Sequence, residues 1–234
     1  MMILALDTSS LAASCALWRD GALLGEYFIN AGLTHSQTIM PMTEALLRDT
    51  GTSLAQVDRF GVSIGPGSFT GLRIGLSAVK GMAMALDKPC TAVSTLEGLA
   101  WNLLGFTGII APVMDARCMQ VYTALFRGDG QTLTRMEPDM ALSIPELGRR
   151  LAALGEPVTL VGDGAALCVE KLAPEPGPEL RLCPQALRHQ RASSVALLSA
   201  RAEAALSPGA LSPAYLRLPQ AERELMKKKE ETKA

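Results

Sequence analysis

Continuous apolar runs and helix-spaced apolar stripes follow one another along the first hundred residues of the chain. Short apolar runs bounded by glycine, proline or aspartate are typical of buried strands, whereas apolar residues three or four positions apart are typical of an amphipathic helix. Ile39, Met42 and Leu46 form such a stripe and predict a helix. Thr34 is its expected N-cap, and Pro41 predicts a late start or a kink. The predicted strands are residues 2–6, 13–18, 22–28, 60–64 and 89–93, and further helices cover 70–86 and begin at Thr95.

The second half of the chain repeats this order of elements. An apolar run at 108–114 ends in Asp115, as the first run ends in Asp7. Two units of three strands, a helix, a strand and a helix predict an α/β protein of two tandem RNase H-like halves, each a mixed five-stranded sheet with helices. This is the architecture of the actin, Hsp70 and sugar-kinase superfamily. The expected division is 1–100 for the N-terminal half, 101–218 for the C-terminal half and 219–234 for a polar tail. The other elements predicted in the second half are strands 120–126, 132–136 and 158–161, helices 144–154 and 193–206, and an irregular loop at 173–184.

Composition and charge narrow the functional classes. The chain has 234 residues, of which 48% are apolar and only 19% charged, and its formal net charge is −1. Because it has no basic field to hold nucleic acid by counterion release, we expect any RNA contact to come mainly through a partner. The five scattered cysteines form no C-x-x-C pair and are expected to be reduced. An acid follows the first apolar run at once and no run could span a bilayer, so we expect a cytoplasmic protein without membrane contact.

The most informative motif is the segment at 65–75, which reads Gly-Pro-Gly-Ser-Phe-Thr-Gly-Leu-Arg-Ile-Gly. A glycine-rich turn that enters a helix presents N–H groups and a positive dipole end to anions, so one interpretation is a phosphate loop. The Walker pattern is not met, because Leu72 follows Gly71 where lysine is required and the charged residue is Arg73. Either Ser68 or Thr70 is the expected cap of the helix.

A second interpretation rests on the small residues of this helix. Gly71, Gly75, Ala78 and Met82 fall along one face of the predicted helix at 70–86. Each interior glycine costs about 1 kcal/mol relative to alanine, and a helix that tolerates this usually gains a close backbone approach. The approach is either to the chain's own sheet or, together with the helix around 39–47, to another subunit. We favour the intersubunit interpretation over the phosphate loop.

Five motifs together resemble the bacterial TsaB (YeaZ) family, in that family's order and over nearly the whole chain. The resemblance implies a non-catalytic subunit needed for threonylcarbamoyl transfer to the adenosine 3′ of the tRNA anticodon. In that family the paralogue TsaD performs the transfer, and the ATPase TsaE joins the pair. The resemblance further implies a heterodimer with TsaD, a homodimer when the chain is alone, and tRNA contact through the complex. The motifs are Ile-Leu-Ala-Leu-Asp-Thr-Ser at 3–9, Thr-His-Ser-Gln at 34–37, the glycine-rich segment at 65–75, Asp-Ala-Arg at 115–117 and Pro-Ala-Tyr-Leu-Arg at 213–217.

The resemblance also implies where the partner docks. In the family, two helices of this subunit pack on the equivalent pair of TsaD and form a helical bundle. The expected interface residues are therefore His35, Ile39, Met42, Leu46, Gly71, Leu72, Gly75, Ala78 and Met82.

A candidate nucleotide or phosphate site follows the first predicted strand and consists of Asp7, Thr8, Ser9 and Ser10. In this superfamily an acid at such a position can hold Mg²⁺ and phosphate through water, with Asp115 as its counterpart in the second half. The alternative, which we favour, is a local turn in which Asp7 accepts bonds from backbone N–H groups. The residues Gly162, Asp163 and Gly164 are a weak candidate for adenosine binding. We therefore expect no cofactor in the isolated chain, and ATP or ADP and a metal in the complex mainly through partners.

The spacing of the two histidines bears on whether the chain could hold a catalytic metal. TsaD holds its metal with an H-x-x-x-H pair, whereas Ile39 stands four residues after His35 here, and His189 lies in a separate segment. Because one imidazole cannot form a tight metal site, we expect His35 to make a hydrogen bond near its helix start and expect no metal site. Two alternative functions remain open: a sugar-kinase-like ATP-dependent phosphotransferase and a metallopeptidase-like enzyme.

Overall fold

The computed structural model describes residues 1–217; residues 218–234, which include the predicted polar tail, lie outside the described part. The first sheet contains β1 (Met2–Asp7), β2 (Ala13–Arg19), β3 (Ala22–Ile29), β4 (Arg59–Gly65) and β5 (Cys90–Ser94). Its strand order is β3-β2-β1-β4-β5. The central strand β1 pairs antiparallel with β2 and parallel with β4. Because β1 is covered on both faces, its apolar run is continuous rather than alternating.

The second sheet repeats the topology of the first. It contains β6 (Thr107–Asp115), β7 (Gln120–Asp129), β8 (Leu133–Ser143), β9 (Val158–Val161) and β10 (Leu180–Leu182). Its order is β10-β9-β6-β7-β8, and β6 pairs antiparallel with β7 and parallel with β9. Each sheet therefore has an antiparallel three-stranded part and two added parallel strands. The predicted pair of tandem five-stranded α/β halves is confirmed.

Within residues 1–217, four of the six α-helices cover the outer faces of the two sheets. The helices are α1 (His35–Asp49), α2 (Phe69–Ala85), α3 (Thr95–Trp101), α4 (Ile144–Leu154), α5 (Ala165–Leu172) and α6 (Ala192–Arg201). Helices α1 and α2 share a core with Leu4 and Leu6 of the first sheet, and together these elements form the first lobe. Helices α4 and α5 pack on the second sheet to form the second lobe. Within residues 1–217, no helix combines the length and apolar character that crossing a bilayer requires.

The other two helices lie between the sheets, and each packs on the sheet of the other half of the chain. Leu99 of α3, which follows the first sheet along the chain, packs with Ile110 and Phe126 of the second. Val195 of α6, which follows the second sheet, packs with Ile3 of the first. The two lobes are therefore interlocked by helices as well as joined by the chain.

Several element boundaries differ from the prediction for identifiable reasons. The late start of α1 was wrong: the helix begins at His35 and continues through Pro41, whose exposed position lets water bond the carbonyl that proline leaves unpaired. Strand β8 runs past Pro138 to Ser143, because it is an edge strand and needs no donor on its open side. Helix α5 and strand β10 were not predicted, and α6 ends earlier than expected, at Arg201.

Candidate docking groove and interlobe cleft

The glycines of the motif at 65–75 admit other parts of the same chain. A Cβ atom added to Gly71 would lie 2.1 Å from the carbonyl oxygen of Thr8, and one added to Gly75 would lie 2.4 Å from the Thr8 hydroxyl oxygen. A Cβ on Gly67 would lie 2.3 Å from the carbonyl oxygen of Ser9. The Thr8 hydroxyl donates a hydrogen bond of 2.8 Å to the carbonyl of Gly71. These three glycines therefore seat the turn after β1 against helix α2.

The intersubunit interpretation of this helix face is consequently wrong for Gly71 and Gly75. Their close approach is to their own first strand, which was the alternative considered. The reason applies to both helices: an apolar stripe at helical spacing is the face that a helix turns toward its own sheet. Among the expected interface residues, His35 and Ala78 are half-buried. The remaining ones are buried within the chain, namely Ile39, Met42, Leu46, Gly71, Leu72, Gly75 and Met82.

The opposite face of α2 is open and borders a groove against α1. Ser77 is exposed, Met84 is 66% exposed, and no other part of residues 1–217 lies within 4 Å of a Cβ placed on Gly81. The space between this face and α1 has a volume of about 630 Å³, and we call it the docking groove. Its lining includes Ser36, Met40, Arg73, Ile74, Ser77 and Ala78.

Only Ala78 and Ile39 of the expected interface residues line the docking groove. A signal for the remainder was present in the sequence. The solvent face of a surface helix normally carries mostly charged residues, whereas this one carries Ile74, Ser77 and Gly81 beside the single arginine Arg73. Small and apolar residues opposite the core stripe are therefore the feature that could have located the groove.

A second cavity, the interlobe cleft, opens between the end of β1 and the end of β6 and has a volume of about 340 Å³. Helix α2 begins at this cleft with Ser68 as its cap, which accepts a hydrogen bond of 3.2 Å from the Gly71 amide and confirms one of the two expected caps. The lining mixes hydroxyl, acidic, basic and aromatic side chains. It includes Ser10, Phe69, Asp115, Arg117, Asp163 and Tyr215.

Asp7 has its carboxylate in use within the chain. Its Oδ1 accepts hydrogen bonds from the Ser9 amide at 2.9 Å and from the Ser9 hydroxyl at 2.7 Å, and its Oδ2 is bonded by the Ser63 hydroxyl. Burial raises the pKa of Asp7, and these hydrogen bonds oppose the rise. The favoured interpretation of Asp7, a local turn, describes this geometry. Asp7 is buried and accepts three hydrogen bonds from the chain, and the Thr8 hydroxyl gives its proton to Gly71, so in this arrangement neither side chain offers a donor to a phosphate.

Ser10 differs from its three neighbours. Its hydroxyl oxygen is buried at the cleft and faces the carboxylate of Asp163 instead of bonding the turn after β1. The partly buried carboxylate of Asp163 accepts a hydrogen bond of 3.1 Å from the Asp115 amide, and burial raises the pKa of Asp163. The glycines on either side of Asp163 serve packing: a Cβ on Gly162 would lie 2.1 Å from the carbonyl oxygen of Val113 in β6.

Asp115, the counterpart of Asp7, is open to the cleft. Its Oδ1 accepts a hydrogen bond of 2.8 Å from the Arg117 amide, and its Oδ2 lies 3.5 Å from the Arg117 guanidinium. Arg117, Cys118 and Met119 then follow one another with φ values of 64°, 54° and 56°. Such left-handed backbone costs roughly 1–2 kcal/mol per residue and was not foreseen from the sequence. The turn holds the Arg117 side chain at the rim of the cleft.

The histidines have separate roles in local structure. His35 Nε2 lies 2.7 Å from the carbonyl oxygen of Ser10, which confirms the hydrogen bond expected near this helix start. His189 Nε2 lies 3.2 Å from Asn30 Nδ2, and burial lowers the pKa of His189. Among residues 1–217, no three histidine, cysteine, aspartate or glutamate side chains come together in a way that could hold a metal ion.

Comparison with known proteins agrees with this architecture. A family model described as TsaD, tRNA N6-adenosine threonylcarbamoyltransferase, matches residues 30–224. The tRNA threonylcarbamoyladenosine biosynthesis protein TsaB of Bacillus subtilis (strain 168) is 36% identical over 95% of this chain and 96% of its own length. The protein of the same name from Escherichia coli (strain K12) is 37% identical over 70% of this chain and 72% of its own length. The structure of YeaZ from Pseudomonas aeruginosa superposes with a TM-score of 0.76 at 29% identity, covering 92% of this chain and 99% of that one.

Two sheets of identical topology, with a cleft between the ends of β1 and β6, define an α/β protein of the actin, Hsp70 and sugar-kinase superfamily. Within that class the alignments to TsaB run over almost the full length of the Bacillus subtilis relative. The chain belongs to the TsaB (YeaZ) family.

Proposed function

We propose that this chain is the non-catalytic partner subunit of TsaD in the synthesis of threonylcarbamoyladenosine in tRNA. The relatives named for this biosynthesis and the family model described as the transferase support the proposal. In this scheme TsaD transfers the threonylcarbamoyl group to the adenosine 3′ of the anticodon, and TsaE joins the pair in the cytoplasm. ATP or ADP and a metal enter mainly through the partners, and the tRNA is held by the complex.

The observation that carries the proposal is the open docking groove between α1 and α2. Met40 of α1, which lines the groove, is 44% exposed, and Met84 on the open face of α2 is 66% exposed, so apolar side chains are available to a partner there. The side chains on this face are small, which allows a second helix to approach the backbone closely; they belong to Ser77, Ala78 and Gly81. We therefore place the contact with TsaD, and that between two copies of the isolated chain, on this outward face.

The end of β1 supports a role without chemistry of its own. In the first lobe, Asp7 and Thr8 bond their own chain and leave no side-chain oxygen for a phosphate. His35 is held by the Ser10 carbonyl. The side chains at the end of β1 and at the start of α1 therefore serve structure, and the shared fold does not by itself imply a phosphotransferase.

Reconstitution tests this proposal directly. Purified TsaD, TsaE and tRNA, supplied with threonylcarbamoyl adenylate, should form the modified nucleoside only when this chain is added, and the chain alone should form none. The His35→Ala variant should support nearly full activity, because His35 only bonds a backbone carbonyl. Transfer by this chain without TsaD, or undiminished transfer without this chain, would overturn the proposal. Steady ATP turnover by the isolated chain would instead favour a phosphotransferase.

A further inference from the structure

Residues 211–217, here called the strap, return from the second half of the chain to the first lobe. Leu211 is buried in the core beneath α1 and α2. The Ala214 amide donates a hydrogen bond of 2.8 Å to the carbonyl of Ile64 at the end of β4. A Cβ on Gly65 would lie 2.4 Å from the Ala214 carbonyl oxygen, so the first glycine of the motif makes room for the strap backbone.

The strap is also bonded to the second lobe. The Arg217 guanidinium donates a hydrogen bond of 2.8 Å to the carbonyl of Ala116, in the turn that follows β6. Ala214 and Arg217 line the interlobe cleft, as does Tyr215 between them. The strap therefore crosses the cleft from one lobe to the other and forms part of its wall.

Tyr215 connects this wall to the docking groove. Its ring stacks on Phe69 with ring centroids 4.8 Å apart, and its hydroxyl accepts a hydrogen bond of 3.1 Å from Arg73 Nε. The Arg73 guanidinium carbon lies 3.8 Å from the centroid of the Phe69 ring. Phe69 lines both cavities, Arg73 lines the groove, and Tyr215 lines the cleft. These three side chains are a shared wall between the two cavities.

We infer that the strap is a latch on the interlobe cleft, and that the shared wall of Phe69, Arg73 and Tyr215 couples the latch to the docking groove. A partner seated in the groove fixes Arg73 and Phe69, which are the surface on which Tyr215 rests. Docking therefore stabilises the closed strap, and the closed strap strengthens docking by the same factor, since such coupling is reciprocal. The coupling rests on the proposed partnership with TsaD, whereas the latch itself does not.

Hydrogen exchange on the full chain tests the latch without any partner. The Ala214 amide is the probe, because its bond to Ile64 exists only while the strap is docked. Tyr215→Ala should exchange this amide about tenfold faster than wild type, and Tyr215→Phe, which keeps the stack and loses one hydrogen bond, about threefold faster. Tyr27→Phe is the matched control, because it removes a tyrosine hydroxyl bond that joins β3 to Asp49 at the end of α1. Equal exchange in Tyr215→Ala and wild type would overturn the latch.

Titration with TsaD then tests the coupling. TsaD should slow exchange of the Ala214 amide in wild type, and Tyr215→Ala should bind TsaD at least about fivefold more weakly although Tyr215 does not line the groove. Unchanged affinity of Tyr215→Ala, with no protection of Ala214, would reject the coupling and leave the proposed partnership intact. Failure of wild type to bind TsaD would reject both the partnership and the coupling, while the exchange data on the isolated chain would still decide the latch.

Discussion

The two faces of helix α2 carry the same kinds of residue and use them differently. On the inward face, Gly71 and Gly75 are pressed against Thr8 so closely that neither has room for a Cβ atom. On the outward face, Gly81 meets nothing within 4 Å from elsewhere in residues 1–217, and Ser77 is exposed. A glycine in a helix is therefore not by itself evidence of a close contact: Gly71 and Gly75 have a neighbouring segment against them, and Gly81 has none within residues 1–217. The inward glycines specify the fold, whereas the outward one leaves a surface available.

The motif at 65–75 is explained almost entirely by the inward contacts. Gly65 receives the strap, Gly67 receives the carbonyl of Ser9, and Gly71 and Gly75 receive Thr8. A phosphate would have been an equally good reason for such a run of glycines. What decides between a phosphate and a packing contact is which group fills the space beside the glycines. Here that space is filled by the end of β1 and by the strap, which are both distant in sequence.

The largest expected effect comes from adding one methyl group to each face. Gly71→Ala forces a Cβ against the Thr8 carbonyl and should lower the free energy of unfolding by roughly 3 kcal/mol, the upper range for overpacking. Gly81→Ala, the same change in the same helix, should instead raise it by about 1 kcal/mol, because alanine is the better helix former. Urea unfolding followed by circular dichroism measures both. Equal effects of the two substitutions would remove the distinction between the faces.

The next effect concerns binding rather than stability. Ser77→Arg places a long charged side chain in the docking groove and should weaken binding to TsaD by about 10- to 100-fold, as expected when a close contact loses 1–3 kcal/mol. Its unfolding free energy should change by less than about 0.5 kcal/mol, since Ser77 is exposed. Gln131→Arg, in the exposed turn between β7 and β8, adds the same charge as a control and should bind normally. Normal binding of a folded Ser77→Arg protein would move the interface away from this face.

How much the sequence predicts follows from the range of the interactions involved. Most strands, the repeated order of elements and the cap at Ser68 follow from neighbouring residues, and the structure has them close to the prediction, whereas the short strand β10 was missed. The segments that pack against the glycines are distant in sequence: Gly71 contacts Thr8, which is 63 residues away, and Gly65 contacts Ala214. Periodicity identified a face of α2 correctly but could not tell whether a sheet or a partner covers it. For the same reason the strap was noticed only as part of a family resemblance.

A smaller effect tests which atom of Thr8 matters to the inward face. Thr8→Val keeps the shape of the side chain and loses the hydrogen bond to the Gly71 carbonyl, which keeps its bond within helix α2. The free energy of unfolding should fall by about 1 kcal/mol. Thr8→Ser keeps the hydroxyl and should lose less than Thr8→Val, as measured by urea unfolding. If serine were the more harmful substitution, packing of the methyl group rather than the hydrogen bond would hold the turn to α2.

The smallest expected effect concerns Asp163 in the interlobe cleft. It tests whether this carboxylate is packed within the chain, like the inward face of α2, or solvated, like the outward face. Burial raises the pKa of Asp163 above its ordinary value of 3.8, so the folded state holds the proton more tightly than the unfolded state. The stability that this group contributes is fully present below pH 3.8 and is lost as the pH rises through the folded pKa. Asp163→Asn cannot ionise, keeps an oxygen for the Asp115 amide and brings an N–H₂ group near the Ser10 hydroxyl.

The difference in unfolding free energy between Asp163→Asn and wild type should therefore shift in favour of the variant as the pH rises from about 4 to 7, by about 1.4 kcal/mol for each unit by which the pKa is raised. Asp129→Asn is the control of opposite sign. Hydrogen bonds from Thr132 and Gln131 lower the pKa of the exposed Asp129, so its contribution is present above pH 3.8 and is lost as the pH falls. Urea unfolding at several pH values measures both variants. A pH-independent difference for Asp163→Asn would mean that this carboxylate is solvated in the folded protein. The part of the interlobe cleft around Asp163 would then resemble the exposed outward face of α2 rather than its packed inward face.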